Sequence, residues 1–235
     1  MKNINKKVVA FLSALMFSVS TLAYSFEGLS VGLTYSSLDF DTQGSESAEA
    51  DIGTGLTVNT TTKTGSADVG SAFLEYTFAQ GTTLGVSMIQ GSAEIGNASR
   101  VEADGLSGTA GGNTSGTVTA KADISDPLTF YVEPTYMMND VFGVYVKGSA
   151  TRVSVEPSEV SDAGGVVTST YKAQDVWGVG TGIGAKYYYG NFFAKLEYLK
   201  TDYGTYSHQS TTGMKNKITA DIETADTSLA IGYNF

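Results

Sequence analysis

From Leu29 onward the chain alternates between apolar and polar residues. Leu29, Val31, Leu33 and Tyr35 share one parity, and Gly28, Ser30, Gly32 and Thr34 share the other. A strand sends successive side chains to opposite faces, so this segment reads as a strand with one apolar face. The pattern recurs over residues 71–78, 83–89, 128–138, 142–150, 177–189, 192–199 and 227–235. In the sixth of these eight segments Trp177, Val179, Ile183, Ala185 and Tyr187 oppose Gly178, Gly180, Gly182, Gly184 and Lys186. The last segment, TSLAIGYNF, carries its alternation onto the final residue, Phe235. Each segment is about 10 residues long, the length of a strand that crosses a bilayer at a tilt.

The connections alternate too. The first, third, fifth and seventh are long and polar, whereas the second, fourth and sixth are AQG, ND and GN. Long and short connections in strict alternation predict an all-β fold, an eight-stranded antiparallel up-and-down transmembrane β-barrel with short periplasmic turns and long extracellular loops. A ten-strand count would require a further spanning hairpin, and neither of the first two long connections has the apolar alternation for one. The Gly- and Thr-rich second connection is expected to form a hairpin above the membrane or to stay unstructured at its tip.

The first residues support export. Lys2, Lys6 and Lys7 precede the apolar run VVAFLSALMFSVS, and TLAYS then offers cleavage after Ala23 or Ser25. This order predicts a signal peptide over 1–25 and a barrel domain over 26–235. Its loss removes three lysines and no acid, so the formal charge of −10 becomes −13. So acidic a chain excludes nucleic acid as a partner. With no cysteine, disulfides, thiolate metal sites and lipoprotein anchoring are excluded as well. Neither a metal nor another cofactor is expected.

A soluble barrel would hide the apolar parity inside, and the aromatics decide between the two cases. Tyr76, Phe78, Tyr136, Phe142, Tyr187, Phe192, Tyr233 and Phe235 lie beside the short turns or the carboxy terminus, and Tyr35, Trp177 and Tyr198 toward the long loops. Two aromatic rows on the apolar parity predict the girdles that two membrane interfaces select. The opposite parity carries Glu75, Glu133 and Glu197 with Lys147, Lys186 and Lys195. A basic residue facing lipid near midplane costs about 2–4 kcal/mol, so these six are expected to form a charge network that plugs the lumen. Gly178, Gly180, Gly182 and Gly184 are expected to make room for Tyr131, Tyr145 and Phe193.

The signal segment, the stretch FFAKLEYLKTDYG and the final strand ending in Phe235 resemble the small outer-membrane β-barrels of the OmpA/OmpX and opacity-type surface-antigen kind. The resemblance covers the whole mature chain in layout but only short stretches in residues. It implies a location in the cell outer membrane of a Gram-negative bacterium, surrounded by lipid and lipopolysaccharide. It also implies a monomer whose carboxy-terminal strand is read by the barrel-assembly machinery.

Function is less legible. The barrel is expected to anchor and the acidic loops to meet the medium or a partner, with no enzymatic activity. One alternative is a porin-like channel for small solutes, or for apolar molecules that leave through the wall. The other rests on the only histidine: His208 with Ser210 resembles the His-x-Ser pair of outer-membrane lipid A deacylases. TTG follows where that family has asparagine, and no acid is in view to orient the histidine. GVGTGIG is no dinucleotide loop, because its glycines keep strict period two. Asp41, Glu46, Glu49 and Asp51, then Glu156, Glu159 and Asp162, match no Ca²⁺ loop and read as a solvated face. Asn59, Asn97 and Asn113 match the glycosylation triplet by chance in Thr- and Ser-rich sequence.

Overall fold

The computed structural model describes residues 26–48, 57–89, 91–103, 115–161, 171–210 and 217–235. The expected signal peptide, Glu49, Asp51, Asn113 and Asp162 lie outside them. Ten strands follow in order: β1 (Gly28–Ala48), β2 (Thr57–Thr77), β3 (Thr82–Ile89), β4 (Ser92–Ala103), β5 (Ser115–Met137), β6 (Phe142–Ser161), β7 (Gln174–Tyr189), β8 (Phe192–Tyr203), β9 (Tyr206–Gln209) and β10 (Lys217–Asn234). Antiparallel ladders run β1-β2-β3-β5-β6-β7-β8-β10, and β10 returns to β1. The ring therefore has eight members; β4 continues β3 along β5, and β9 continues β8 along β10.

The short connections are tight turns. Gly81 and Gly190 supply positive φ at 84° and 59°. In the middle turn Asn139 Oδ1 accepts the amides of Val141 and Phe142 at 3.0 and 2.8 Å.

The strands run much further than the apolar alternation does. β1 spans 21 residues, and only Leu29–Tyr35 turn apolar side chains outward; beyond them the outward positions are Ser37, Asp39, Asp41, Gln43 and Ser45. Much of the sequence that reads as long loops is strand, because polar Thr- and Ser-rich segments keep pairing beyond the apolar band. At about 3.3 Å per residue, Ser36–Ala48 add roughly 40 Å along the strand.

Burial follows parity in the lower half. Leu29, Leu33, Ile183, Leu196, Leu229 and Ile231 are exposed on the outside, while Ser30, Glu75, Lys186 and Ser228 are buried within. This is a barrel with its polar face inward. In the upper half the interior turns apolar. Ile124, Val153, Val155, Val176, Tyr206 and Ile222 form a buried core, with Phe40 and Tyr203 packed against it. On β5 the register slips between Ser125↔Ser154 and Leu128↔Arg152, and Asp126 there takes φ of 51°. This extra residue is a bulge that exchanges the strand's inside and outside parities, bringing Ile124 into the core.

Above the level of Ser71↔Ile89, no ladder joins β2 to β4 among the described residues. On the other side the last bond between β7 and the β8–β9 junction is Gly204 N–H to Trp177 O at 2.9 Å. The upper part is thus two sheets, β4-β5-β6 with the start of β7 and β2-β1-β10-β9, facing each other across the apolar core.

The lumen as candidate functional site

From the short-turn end upward, the first layer is aromatic. Phe26 stacks on Tyr188 with centroids 3.8 Å apart and planes 6° from parallel. Tyr188 and Phe193 meet at 5.7 Å, and Phe193 and Phe73 at 6.1 Å. The Phe26 carbonyl is held by Asn234 Nδ2 at 3.0 Å. This floor was not anticipated; the inward parity of Phe73, Tyr188 and Phe193 was the available signal.

Above it lie the charges, each placed by inward parity on a different part of the wall: Glu75 on β2, Glu133 on β5, Lys147 on β6, Lys186 on β7, Lys195 and Glu197 on β8. Lys186 Nζ reaches Glu133 Oε2 at 2.7 Å and Glu75 Oε1 at 3.7 Å. Lys195 Nζ lies 3.0 Å from the same Glu133 oxygen and also binds Glu75 Oε2. Lys147 Nζ bridges Glu197 Oε1 at 2.8 Å and Glu133 Oε1 at 3.4 Å. Tyr131 donates its hydroxyl to Glu75 and Tyr145 donates to Glu197, both at 2.8 Å. Glu133 and Lys186 have no exposed surface. Each of these six charges therefore has an opposite partner, and Glu75 and Glu197 accept a tyrosine hydroxyl as well, the condition under which such a network is tolerated.

Two of these aromatics lie against glycine on the next strand. A Cβ at Gly184 would sit 2.3 Å from Tyr145 Cζ, and one at Gly85 would sit 2.2 Å from Tyr131 Cζ. The expectation for β7 is thus met for Tyr145 alone. Tyr131 rests on Gly85 and Phe193 on Gly232, while Gly178, Gly180 and Gly182 face Tyr203, Ser149 and Leu199.

Next comes a cavity of about 80 Å³, lined by Ser36, Ser71, Ser87, Lys147, Asp226 and Ser228 among others. The upper apolar core lies above it. Tyr206 in that core donates its hydroxyl to the Lys172 carbonyl at 3.0 Å, and burial pushes its pKa up to about 12.

Outside, the aromatics of both rows project from the wall. Near the short turns Tyr76 meets Phe78, Phe192 meets Tyr233 and Tyr233 meets Phe235, each edge-on at 5.1 Å. Tyr136, Phe142 and Tyr187 lie at the same end, and Tyr35, Trp177 and Tyr198 at the other end of the apolar band. Above that band, register aligns three exposed acids on neighbouring strands: Asp202↔Glu223 and Glu223↔Asp41.

His208 lies on β9, opposite Ile218, and shares the inward parity of Tyr206 and Ser210. Its Nε2 is buried without a hydrogen-bond partner, and no described carboxylate orients it. β9 pairs with Lys217–Ala220, and Ala220 precedes lipid-facing Leu229 by nine positions. At about 3.3 Å per residue that is roughly 30 Å along the strand, well away from the apolar band. Asp41 is exposed on β1 and Glu156 on β6; Glu46, Asn59, Asn97 and Glu159 are strand residues, not loop residues. No cluster of metal-ligating side chains occurs among the described residues.

A family model for the outer membrane protein beta-barrel domain matches residues 9–235. Among solved structures, OprG from Pseudomonas aeruginosa is 14% identical with a TM-score of 0.54, the match covering 91% of this chain and 98% of that one. Ail, the attachment invasion locus protein of Yersinia pestis, is 13% identical with a TM-score of 0.33, covering 86% and 99%. Neisserial surface protein A is 13% identical with a TM-score of 0.38, covering 86% and 97%. No curated protein sequence matches. The chain belongs to the outer-membrane β-barrel family and is an outer-membrane protein.

Proposed function

We propose that this member of the outer-membrane β-barrel family is a closed, non-catalytic anchor. It holds a stiff acidic two-sheet tower above the bilayer for contact with the medium or a partner. The observation that carries this reading is the stacked filling of the lumen, with an aromatic floor, a network of three acids and three bases and an apolar upper core. An ion entering from either end meets packed aromatic or apolar side chains, and between them three acids and three bases that are paired with one another. In this reading lipid and lipopolysaccharide meet the wall between the two aromatic rows, the chain acts as a monomer, and β10 with its terminal Phe235 is presented to the barrel-assembly machinery. The distance of His208 and Ser210 from the apolar band and the lack of an orienting acid support a non-enzymatic role.

Planar-bilayer conductance of the refolded chain, residues 26–235, tests this. A silent barrel agrees with it; steady ohmic steps at low voltage overturn it.

A second reading, a narrow path for small solutes, draws on one observation. The β2–β3 ladder ends at Ser71↔Ile89, and both residues line the mid-lumen cavity. The serine, threonine and charged lining suits polar rather than apolar cargo. Uptake of small sugars by proteoliposomes carrying the protein, absent in protein-free vesicles, would favour that path.

A further inference from the structure

The inward-facing side chains of the charged zone do not balance. Glu75, Glu133, Glu197 and Asp226 face Lys147, Lys186 and Lys195 among the described residues, leaving one negative charge over. The surplus is localised. The three lysines are engaged by the three glutamates, whereas Asp226 has no lysine within ion-pair reach. Its Oδ2 accepts a weak bond from Ser36 Oγ at 3.3 Å, and its Oδ1 is buried without any hydrogen-bond partner. A carboxylate oxygen shielded from solvent and left unpaired is costly unless a positive charge, a proton or a cation, meets it.

Asp226 lies on the wall of the 80 Å³ cavity, beside the hydroxyls of Ser36 and Ser228, which are 5% and 6% exposed. That volume exceeds the roughly 30 Å³ share of one water. The cavity is also lined by Lys147, Lys195 and Glu197, but Lys147 is engaged by Glu197 and Lys195 by Glu75, so the groups left for an ion are the Asp226 carboxylate and several hydroxyls, oxygens that suit a hard cation. A divalent ion would turn the surplus of −1 into +1, whereas a monovalent ion cancels it. We infer that the mid-lumen cavity is a binding site for a small alkali cation of the sodium class, held by Asp226 with Ser36 and Ser228. The site does not depend on whether the barrel conducts.

Thermal unfolding of the refolded chain, residues 26–235, in detergent micelles tests this in sodium chloride against choline chloride at equal ionic strength. The midpoint is expected to be about 2–4 °C higher in saturating sodium, the shift that a ligand near five times its Kd gives a domain of this size. Asp226→Asn should abolish the difference, and Ser36→Ala, which keeps the carboxylate, should move the effect to higher sodium concentration. Glu223→Gln, on the outer face, should retain it. No difference between the two salts overturns the site, as does a difference that survives Asp226→Asn. A response to calcium at micromolar concentration, absent in Asp226→Asn, would overturn the assignment to a monovalent ion.

Discussion

Lys186 Nζ lies 2.7 Å from Glu133 Oε2, and neither residue has any exposed surface. Glu133 also meets Lys195 and Lys147, so it is the hub of the network. Glu133→Gln is expected to cost about 3–5 kcal/mol, the usual penalty for stranding a buried charge. Adding Lys186→Met should recover most of that loss, because the pair then leaves together. Urea unfolding of the refolded single and double variants measures both quantities.

Gly184 faces the Tyr145 ring so closely that a methyl group would lie 2.3 Å from Cζ. Gly184→Ala should displace the ring and its 2.8 Å bond to Glu197, at about 1–3 kcal/mol. Gly184→Ala combined with Tyr145→Phe would recover little, because the clash is with the ring rather than the hydroxyl. Unfolding midpoints of the two proteins decide this.

The membrane part of the fold was legible because one physical rule governs it: outward apolar, inward polar, at period two. Leu229, Ile231 and Tyr233 announce it without help from the rest of the chain. The upper part obeys the opposite rule, and the switch is visible in retrospect. Along β6 the apolar residues move from Val144 and Val146 to Val153 and Val155, and along β10 from Ile218 and Ile222 to Leu229 and Ile231. Each is a change of parity within one strand, the mark of a strand leaving lipid for water. Low apolar density hid it, so these segments read as loops. The Asp126 bulge left no comparable signal, because an inserted residue shows only in the partner strand's register. Which glycine receives which aromatic depends on the shear of the closed ring, so Tyr131 could not be matched to Gly85 from spacing alone.

Val153 is 1% exposed in the upper core, in one cluster with Ile124 of its own sheet and Ile222 of the facing sheet. Val153→Ala should destabilise the tower by about 1–3 kcal/mol while leaving the lipid-embedded part intact. Intact cells treated with external protease should then show faster cleavage of the variant, with a membrane-protected fragment that is unchanged.

Glu223 is flanked in register by Asp41 and Asp202, all three exposed on one face. Like charges directly opposite one another are unfavourable. Glu223→Gln is expected to raise stability by up to about 1 kcal/mol at low ionic strength. The gain should fade in molar salt, where the screening length falls to about 3 Å. Denaturation at both salt concentrations checks the sign and its decay.

Tyr206 has its pKa raised by burial to about 12, against about 10 for an unfolded tyrosine. As pH rises past 10 the unfolded state loses this proton first, so stability falls until about pH 12 and levels beyond it. Tyr206→Phe should remove that part of the alkaline loss. Stability measured at pH 9, 11 and 12 for both proteins shows whether the curves diverge in this window.

The three acids and three bases of the network come from β2, β5, β6, β7 and β8; β1 and β10 contribute none of them. Across the first-to-last seam, from Ser30↔Asn234 to Ser47↔Lys217, the strands are joined by a plain backbone ladder. Among the described residues, parting that seam breaks peptide hydrogen bonds and the Ser36–Asp226 and Ser45–Thr219 side-chain contacts, but no ion pair. The ring can therefore part between β1 and β10 without separating any acid of the network from its base.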